Sequence, residues 1–325
     1  MITLTYRYRI YPDTTQEQTL IEWMEICRGA YNCALREIKD WCDSRKCLID
    51  RCSIQKEYIL SCELKFPSEV YQLNNLPKAK KEFPFLSEVP SQVRKLAIKQ
   101  LHRGWEYFQE RGFGFPRFKK HGQFKSLLFP QFKENPVTNL HIKLPKIGAI
   151  RINLHRPIPT GFLVKQARIL RKADKWYVSI ALGCEVIVPD SIPHGHPLGV
   201  DVGLEKFLAT SDGVLVKPPK FFKHLQSKMK LLQRRLARLQ RRSKNYEKQR
   251  LKVARLHHKI DNTRKDFHFK QAHALCDTGD MVFMEDLDYR TSAKGLFGKH
   301  MRHGWIWAIQ NHRQVCLLET WENMR

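Results

Sequence analysis

Two carboxylates in this sequence stand where a charge needs a reason. Asp201 lies inside the short apolar run LGVDVG at 198–203, and Glu285 follows MVFM at 281–284. Both runs read as strands, and a carboxylate on an apolar strand is costly unless it is paired or holds a metal. Carboxylates on adjacent strands can hold Mg²⁺ ions about 4 Å apart, clamping the attacking and leaving oxygens of a phosphodiester. Gly199 and Gly203 fall on the same strand face as Asp201, which would leave room for a substrate backbone. The competing reading is that each acid caps a neighbouring helix, and spacing alone leaves both readings open.

A second chemistry is carried by cations. Between Lys217 and Lys270 stand 19 Lys and Arg against three acids, Glu247, Asp261 and Asp266, a net charge of 19 − 3 = +16. Leu225, Met229, Leu232, Leu236 and Leu239 form one helical stripe, and Val253, Leu256 and Ile260 form another after a break near Ser243–Asn245. The spacing predicts two antiparallel helices over 220–275, packed on their leucines. Arg234, Arg235, Arg238, Arg241, Arg242, Lys244, Arg264 and Lys265 would then meet a phosphate backbone. The segment GFGFPRFKK at 112–120 interleaves Phe113, Phe115 and Phe118 with Arg117, Lys119 and Lys120. It suits base stacking with phosphate contacts, and equally a glycine-rich turn whose phenylalanines plug a core.

The whole chain supports a polyanionic partner. Its 325 residues carry 58 Lys and Arg against 32 Asp and Glu, a formal net charge of +26. Nucleic acid is the leading candidate. No run approaches the roughly 20 apolar residues of a membrane span, and the first twenty residues lack a signal-peptide core. The expected location is the cytoplasm, in association with the nucleoid. Nine cysteines without a C-x-x-C read as free thiols rather than a disulfide framework or a zinc site. No phosphate-binding loop, dinucleotide fingerprint, H-E-x-x-H or G-x-S-x-G motif occurs.

These residues need a scaffold. Residues 3–11 alternate as a strand. Thr14 and Glu17 suggest a capping box for a helix whose stripe is Leu20, Met24, Cys27, Tyr31, Ala34 and Ile38. Pro67, Pro77, Pro84 and Pro90 predict loops and short turns over 66–90, and Ser91 is placed to cap a helix running through Trp105. Residues 112–183 read as mostly β, with strands at 141–154 and 176–183, and the prolines of 185–197 mark a linker. A boundary near residue 195 divides a nucleic-acid-binding region, 1–195, from a second region, 196–299.

The strings GVDVGLEKFLATSDG, PKFFKHLQSKMKLLQRRLARLQRRSKNYEKQRLKVARLHHKI, RKDFH and FMEDL resemble the TnpB family, OrfB-type proteins of bacterial insertion sequences. GFPRFKK and the opening TYRYRIYP match the same family's amino-terminal region, so the likeness covers roughly residues 1–298. The resemblance implies an α+β, multidomain protein. An N-terminal β-barrel with a helical insertion would precede an RNase H-like (RuvC) α/β domain bearing the basic helical hairpin. It implies RNA-guided, Mg²⁺-dependent cleavage of double-stranded DNA, with guide RNA pairing reading the sequence. Asp201 matches the family's first catalytic carboxylate and Glu285 its second, both as metal ligands; Asp286 matches no catalytic position.

The likeness stops near Lys299. Family members continue into a helix, a zinc ribbon of two cysteine pairs and a third catalytic Asp, whereas residues 300–325 follow a different pattern. Read one base later, codons for His303–Gln310 and Arg313–Asn323 can encode strings like those the family carries next. The expectation is an off-pattern, frameshifted tail, an incomplete RuvC domain without the zinc site, and a chain defective in cleavage. The alternatives are a non-cleaving, repressor-like RNA-guided DNA-binding protein and a purely structural basic protein.

Overall fold

The structure, a computed structural model, describes residues 2–46, 63–132, 134–184, 195–203, 206–217, 221–241 and 243–285. The chain divides into two compact units, Met1–Val186 and Ile187–Arg325. The class is α+β, with five α-helices among the described residues.

The first unit is built on a six-stranded sheet of β1 (Ile2–Tyr11), β2 (Ser126–Phe129), β3 (His141–Leu144), β4 (Gly148–Asn153), β5 (Leu163–Lys172) and β6 (Lys175–Cys184). Their order is β2-β5-β6-β1-β4-β3. β1 is central, antiparallel to β6 from Ile2↔Cys184 to Ile10↔Trp176 and to β4 at Arg9↔Asn153. Its alternation sets the layers: Leu4, Tyr6, Tyr8 and Ile10 are buried, while Thr3, Thr5 and Arg7 are exposed. The predicted strand at 141–154 is a hairpin, β3 and β4, turning at Pro145–Ile147 with Lys146 at φ 66°.

The helices of this unit are α1 (Thr14–Lys46), α2 (Glu69–Glu82) and α3 (Ser91–Arg111). The stripe of α1 is buried from Leu20 to Ile38. Its cap, however, is Asp13 and not Thr14: Gln16 N donates to Asp13 Oδ1 at 2.7 Å, and Asp13 N to Gln16 Oε1 at 3.2 Å. The reciprocal box is one residue earlier than expected, and Glu17 is released to pair with Arg171 at 3.4 Å. Ser91 likewise does not cap α3, which begins at Ser91 with Pro90 before it and no side-chain cap.

Residues 66–90 keep short loops and a turn but also hold a helix that the prolines did not predict. α2 runs through Pro77 and is followed by a 3₁₀ turn at Pro84–Ser87. An interior proline costs a helix about 3 kcal/mol. Here the Ser68 cap, accepting from Tyr71 N at 3.3 Å, and a buried polar network offset that cost. Gln72, 4% exposed, donates through Nε2 to Ala34 O (2.9 Å) and Glu37 Oε2 (2.7 Å). Its Oε1 is therefore the acceptor for His102 Nε2 at 2.8 Å, which places a proton on His102 Nε2. Glu37, Gln72 and His102 thereby join α1, α2 and α3.

The second unit carries a four-stranded sheet of β7 (Pro197–Asp201), β8 (Leu208–Thr210), β9 (Leu215–Val216) and β10 (Met281–Met284), in the order β10-β7-β8-β9. β10 is parallel to β7; the other pairs are antiparallel. Helices α4 (Phe221–Ala237) and α5 (Lys244–Thr278) connect the two parallel strands. Leu198, Val200, Phe207, Leu208, Leu275 and Val282 form the core, with Phe267 edge-on to Phe207 at 5.1 Å.

Candidate functional site

The register of β7 and β10 sets the site. Leu198 pairs with Val282 and Val200 with Met284, and all four turn toward the core. Asp201 is the last residue of β7 and Glu285 directly follows Met284, the last of β10, so both carboxylates lie at the same end of the adjacent parallel pair. Both are exposed, which corrects the expectation of carboxylates buried on apolar strands. What places them is strand register, and their access to solvent suits a hydrated cation better than a dry pocket would. Among the described residues no three His, Cys, Asp or Glu side chains converge as a metal-binding group.

Gly203 does not clear space for a substrate. Its N–H donates to Lys206 O at 3.1 Å, and a Cβ there would stand 3.1 Å from the same oxygen. The glycine allows the β7–β8 connection to close on itself. Gly199 is less constrained, with Ser211 Cβ 3.6 Å from an added Cβ.

The opposite end of the parallel pair is tied by groups the sequence reading missed. His196 N donates to Asp280 Oδ2 at 2.8 Å, and Asp280 N and Met281 N donate back to His196 O at 3.1 and 3.2 Å. The His196 ring meets Asp212 Oδ2 at 2.9 Å through Nε2. Ser211 brackets Gly199, its N donating to Gly199 O (2.8 Å) and its Oγ accepting from Gly199 N (3.1 Å). Gly279 packs so closely that a Cβ would lie 2.6 Å from Leu198 Cβ. The Ser-Asp-Gly string at 211–213 was the sequence signal for this turn; the role of His196, assigned to a linker, left none.

In the hairpin, Ser243 caps α5 by accepting from Tyr246 N at 3.1 Å, and buried Gln249 donates to Leu232 O of α4 at 3.1 Å. Met229 of α4 and Leu256 of α5 are buried. The charges are segregated. Glu247 pairs with Arg250 (2.6 Å), Asp261 with Arg264 (3.3 Å) and Lys265 (2.9 Å), and Asp266 with Lys270 (2.8 Å). Arg264 and Lys265, expected to meet phosphate, thus already face a carboxylate on their own helix. Residues 217–246 contain eleven Lys and Arg and no acid. There Arg234, Arg235, Arg238, Arg241 and Lys244 are exposed, while Arg242 lies outside the described residues.

In the first unit, the 112–120 segment divides residue by residue. Phe115 packs edge-on to Trp105 (5.6 Å) and Phe108 (5.4 Å), as the core reading has it. Phe113 and Phe118 are 54% and 42% exposed, and Arg117 and Lys120 are exposed with them. Asn32 holds Lys119 through both backbone groups, at 2.8 and 2.9 Å, and the Lys119 ammonium sits 5.4 Å from the Tyr31 ring. Glu25 accepts from Gly122 N at 2.8 Å and lies 2.6 Å from Arg28, contacts that hold its carboxyl below the usual range against the opposing effect of burial.

Comparison with known proteins bears on this arrangement. Residues 184–294 match the OrfB family of IS605-type elements, described as "Probable transposase". The chain is 35% identical to "Putative RNA-guided DNA endonuclease InsQ" of Escherichia coli (strain K12), over 75% of this chain and 60% of that protein. The chain belongs to the TnpB (OrfB) family. A "Putative RNA-guided DNA endonuclease" of Streptomyces pristinaespiralis is 26% identical over 89% of this TnpB-family chain and 68% of that protein. The chain thus spans about three fifths of the length of InsQ. Residues 1–47 match a family segment described as a helix-turn-helix domain. Residues 2–46 here are one strand and one 33-residue helix whose apolar stripe is buried. Among the described residues no helix is long and apolar enough to cross a membrane.

Proposed function

We propose that this TnpB-family chain binds a guide RNA and a double-stranded DNA target, and that Asp201 and Glu285 are its metal-binding carboxylates. The observation that carries the reading is their exposed position at the same end of two adjacent parallel strands. Mg²⁺ is held by one or two carboxylates together with waters and substrate phosphates, and this pair suits that donor set. When bound, Mg²⁺ supplies positive charge at the scissile phosphate. Asp201 and Glu285 would orient it, and the acid-free part of the hairpin would neutralise the phosphates alongside. Guide pairing reads sequence while the protein reads backbone shape. Two relatives named as putative RNA-guided DNA endonucleases support the RNA and DNA part of this reading.

Residues 1–325 by themselves are expected to bind more effectively than they cut. An in-line displacement supported on two metals draws on more than two carboxylates, and the described residues bring no third ligand to the pair. The test is to purify the chain with its co-expressed insertion-sequence RNA and offer it a matched plasmid with Mg²⁺. RNA should co-purify, target binding should weaken as salt rises, and little plasmid should be nicked. Efficient cutting at the matched site would overturn the cleavage-defective part. Absence of RNA and DNA binding at about 100 mM salt would overturn the whole reading.

A further inference from the structure

His196 is the hub of the strand starts, at the end of the β7–β10 pair away from Asp201 and Glu285. Pro197 opens β7 without an N–H, so this end is held through the residue before it. His196 N donates to Asp280 Oδ2 at 2.8 Å, and His196 O accepts from Asp280 N and Met281 N at 3.1 and 3.2 Å. Gly195, at φ 93°, makes room for this exchange: a Cβ there would fall on the Asp280 carboxylate. The ring Nε2 of His196 lies 2.9 Å from Asp212 Oδ2, and Asp212 Oδ1 accepts from Ser211 Oγ at 3.3 Å. Ser211 in turn holds both backbone groups of Gly199. One chain of bonds thus runs from β10 through the start of β7 to the β8–β9 turn.

Apolar pairing by itself leaves the alignment of β7 and β10 open. Leu198 is level with Val282 and Val200 with Met284. A slip of two residues would set Val200 against Val282, still apolar against apolar on the same face. It would also shift the strand ends by about 7 Å relative to each other. Holding one Mg²⁺ between two carboxylates needs their oxygens within about 4 Å, so a shift of that size disrupts the pair. Asp280 discriminates between the alignments, because its carboxylate and its N–H meet His196 in one register only. We propose that Asp280 is a positioning residue of the metal site: by locking onto His196 at the strand starts, it brings Asp201 and Glu285 level at the other end. The bond is charge-assisted and made by an exposed side chain, so it can be removed without touching the two acids, the core or the hairpin.

The inference rests on the reading that Asp201 and Glu285 hold metal, and the test separates the two. The intact chain is freed of RNA with nuclease and high salt, and Mn²⁺ alone is titrated by its paramagnetic signal. D280A should bind Mn²⁺ about tenfold more weakly, the loss expected for one charge-assisted hydrogen bond. D280N keeps an oxygen acceptor for His196 N and should recover most of that affinity. E285A should cost the unaltered chain about tenfold and D280A less than about twofold, because a misplaced Glu285 has little left to lose. Unchanged Mn²⁺ binding in D280A overturns the inference. So does a full further loss when E285A is added to D280A, the additivity of a residue that serves stability alone. Failure of D280N to recover affinity while melting normally overturns it too. If D280A does not fold, amide exchange in the unaltered chain decides. Mg²⁺ should slow exchange at Asp280 and Met281 by about twofold or more, and not in D201A/E285A, since coupling between the two ends is reciprocal. Equal exchange with and without Mg²⁺ overturns the inference. If the unaltered chain binds no Mn²⁺ that D201A/E285A loses, the metal reading itself falls, and the inference with it.

Discussion

Asp201 and Glu285 each lie one residue beyond the pair Val200↔Met284, at the same end of two parallel strands, and both are exposed. Neither residue has a local signal that sets this relationship. It follows from a register fixed by the core on one side and by the His196–Asp280 exchange at the far end.

That juxtaposition separates metal binding from nucleic-acid binding. D201A/E285A should lose bound Mn²⁺, followed by its paramagnetic signal as a substitute for Mg²⁺. Its RNA affinity should stay within about twofold, because the acids contribute no positive charge to the phosphate contacts. Equal Mn²⁺ binding by the double variant would remove both residues from the site.

Charge segregation in the hairpin gives unequal substitutions. R234A/R235A/R238A removes exposed cations from a stretch without acids and should lower the duplex salt slope by about 3. R264A/K265A also frees Asp261 from its partners, so its loss is expected to include helix stability as well as affinity. Titrations across salt together with thermal melts compare the two.

Burial lowers the His102 pKa from its ordinary 6.5, against the opposing pull of Glu69 and Glu106. The folded state therefore holds the neutral ring, whose Nε2–H serves Gln72. Its contribution is complete above the unfolded value near 6.5 and is lost as pH falls below it toward the depressed folded value. Urea unfolding between about pH 5 and 8 should show stability declining toward acid. H102Q should flatten that decline.

Close backbone approach makes Gly279 sensitive. G279A places a methyl 2.6 Å from Leu198 Cβ at the entry to β10, and overpacking of this kind costs roughly 1–3 kcal/mol. Denaturant titration should show that loss, and Mn²⁺ affinity should fall with it if the register of β7 and β10 is disturbed.

Periodicity alone determined much of this protein. The alternation of residues 3–11, the helical stripe from Leu20 to Ile38 and the leucines of the hairpin each follow from one face meeting a core, and each is legible in a single segment. The excess of cations and the strings shared with TnpB proteins were likewise present in the chain itself. What the sequence could not decide were relationships between segments. Four prolines suggested loop over 66–90, yet a polar network reaching to Ala34, Glu37 and His102 supports a helix through Pro77. Asp13 rather than Thr14 caps α1 because the neighbouring Gln16 can return the bond. Tertiary structure alone brought Asp201 and Glu285 to the same end of two parallel strands, whereas the pairing of Arg264 and Lys265 with Asp261 follows from i,i+3 and i,i+4 spacing on one helix. The physical reason is common to the relationships between segments. A strand or helix period specifies which way a side chain points, whereas its neighbours depend on register and packing between residues far apart in the chain.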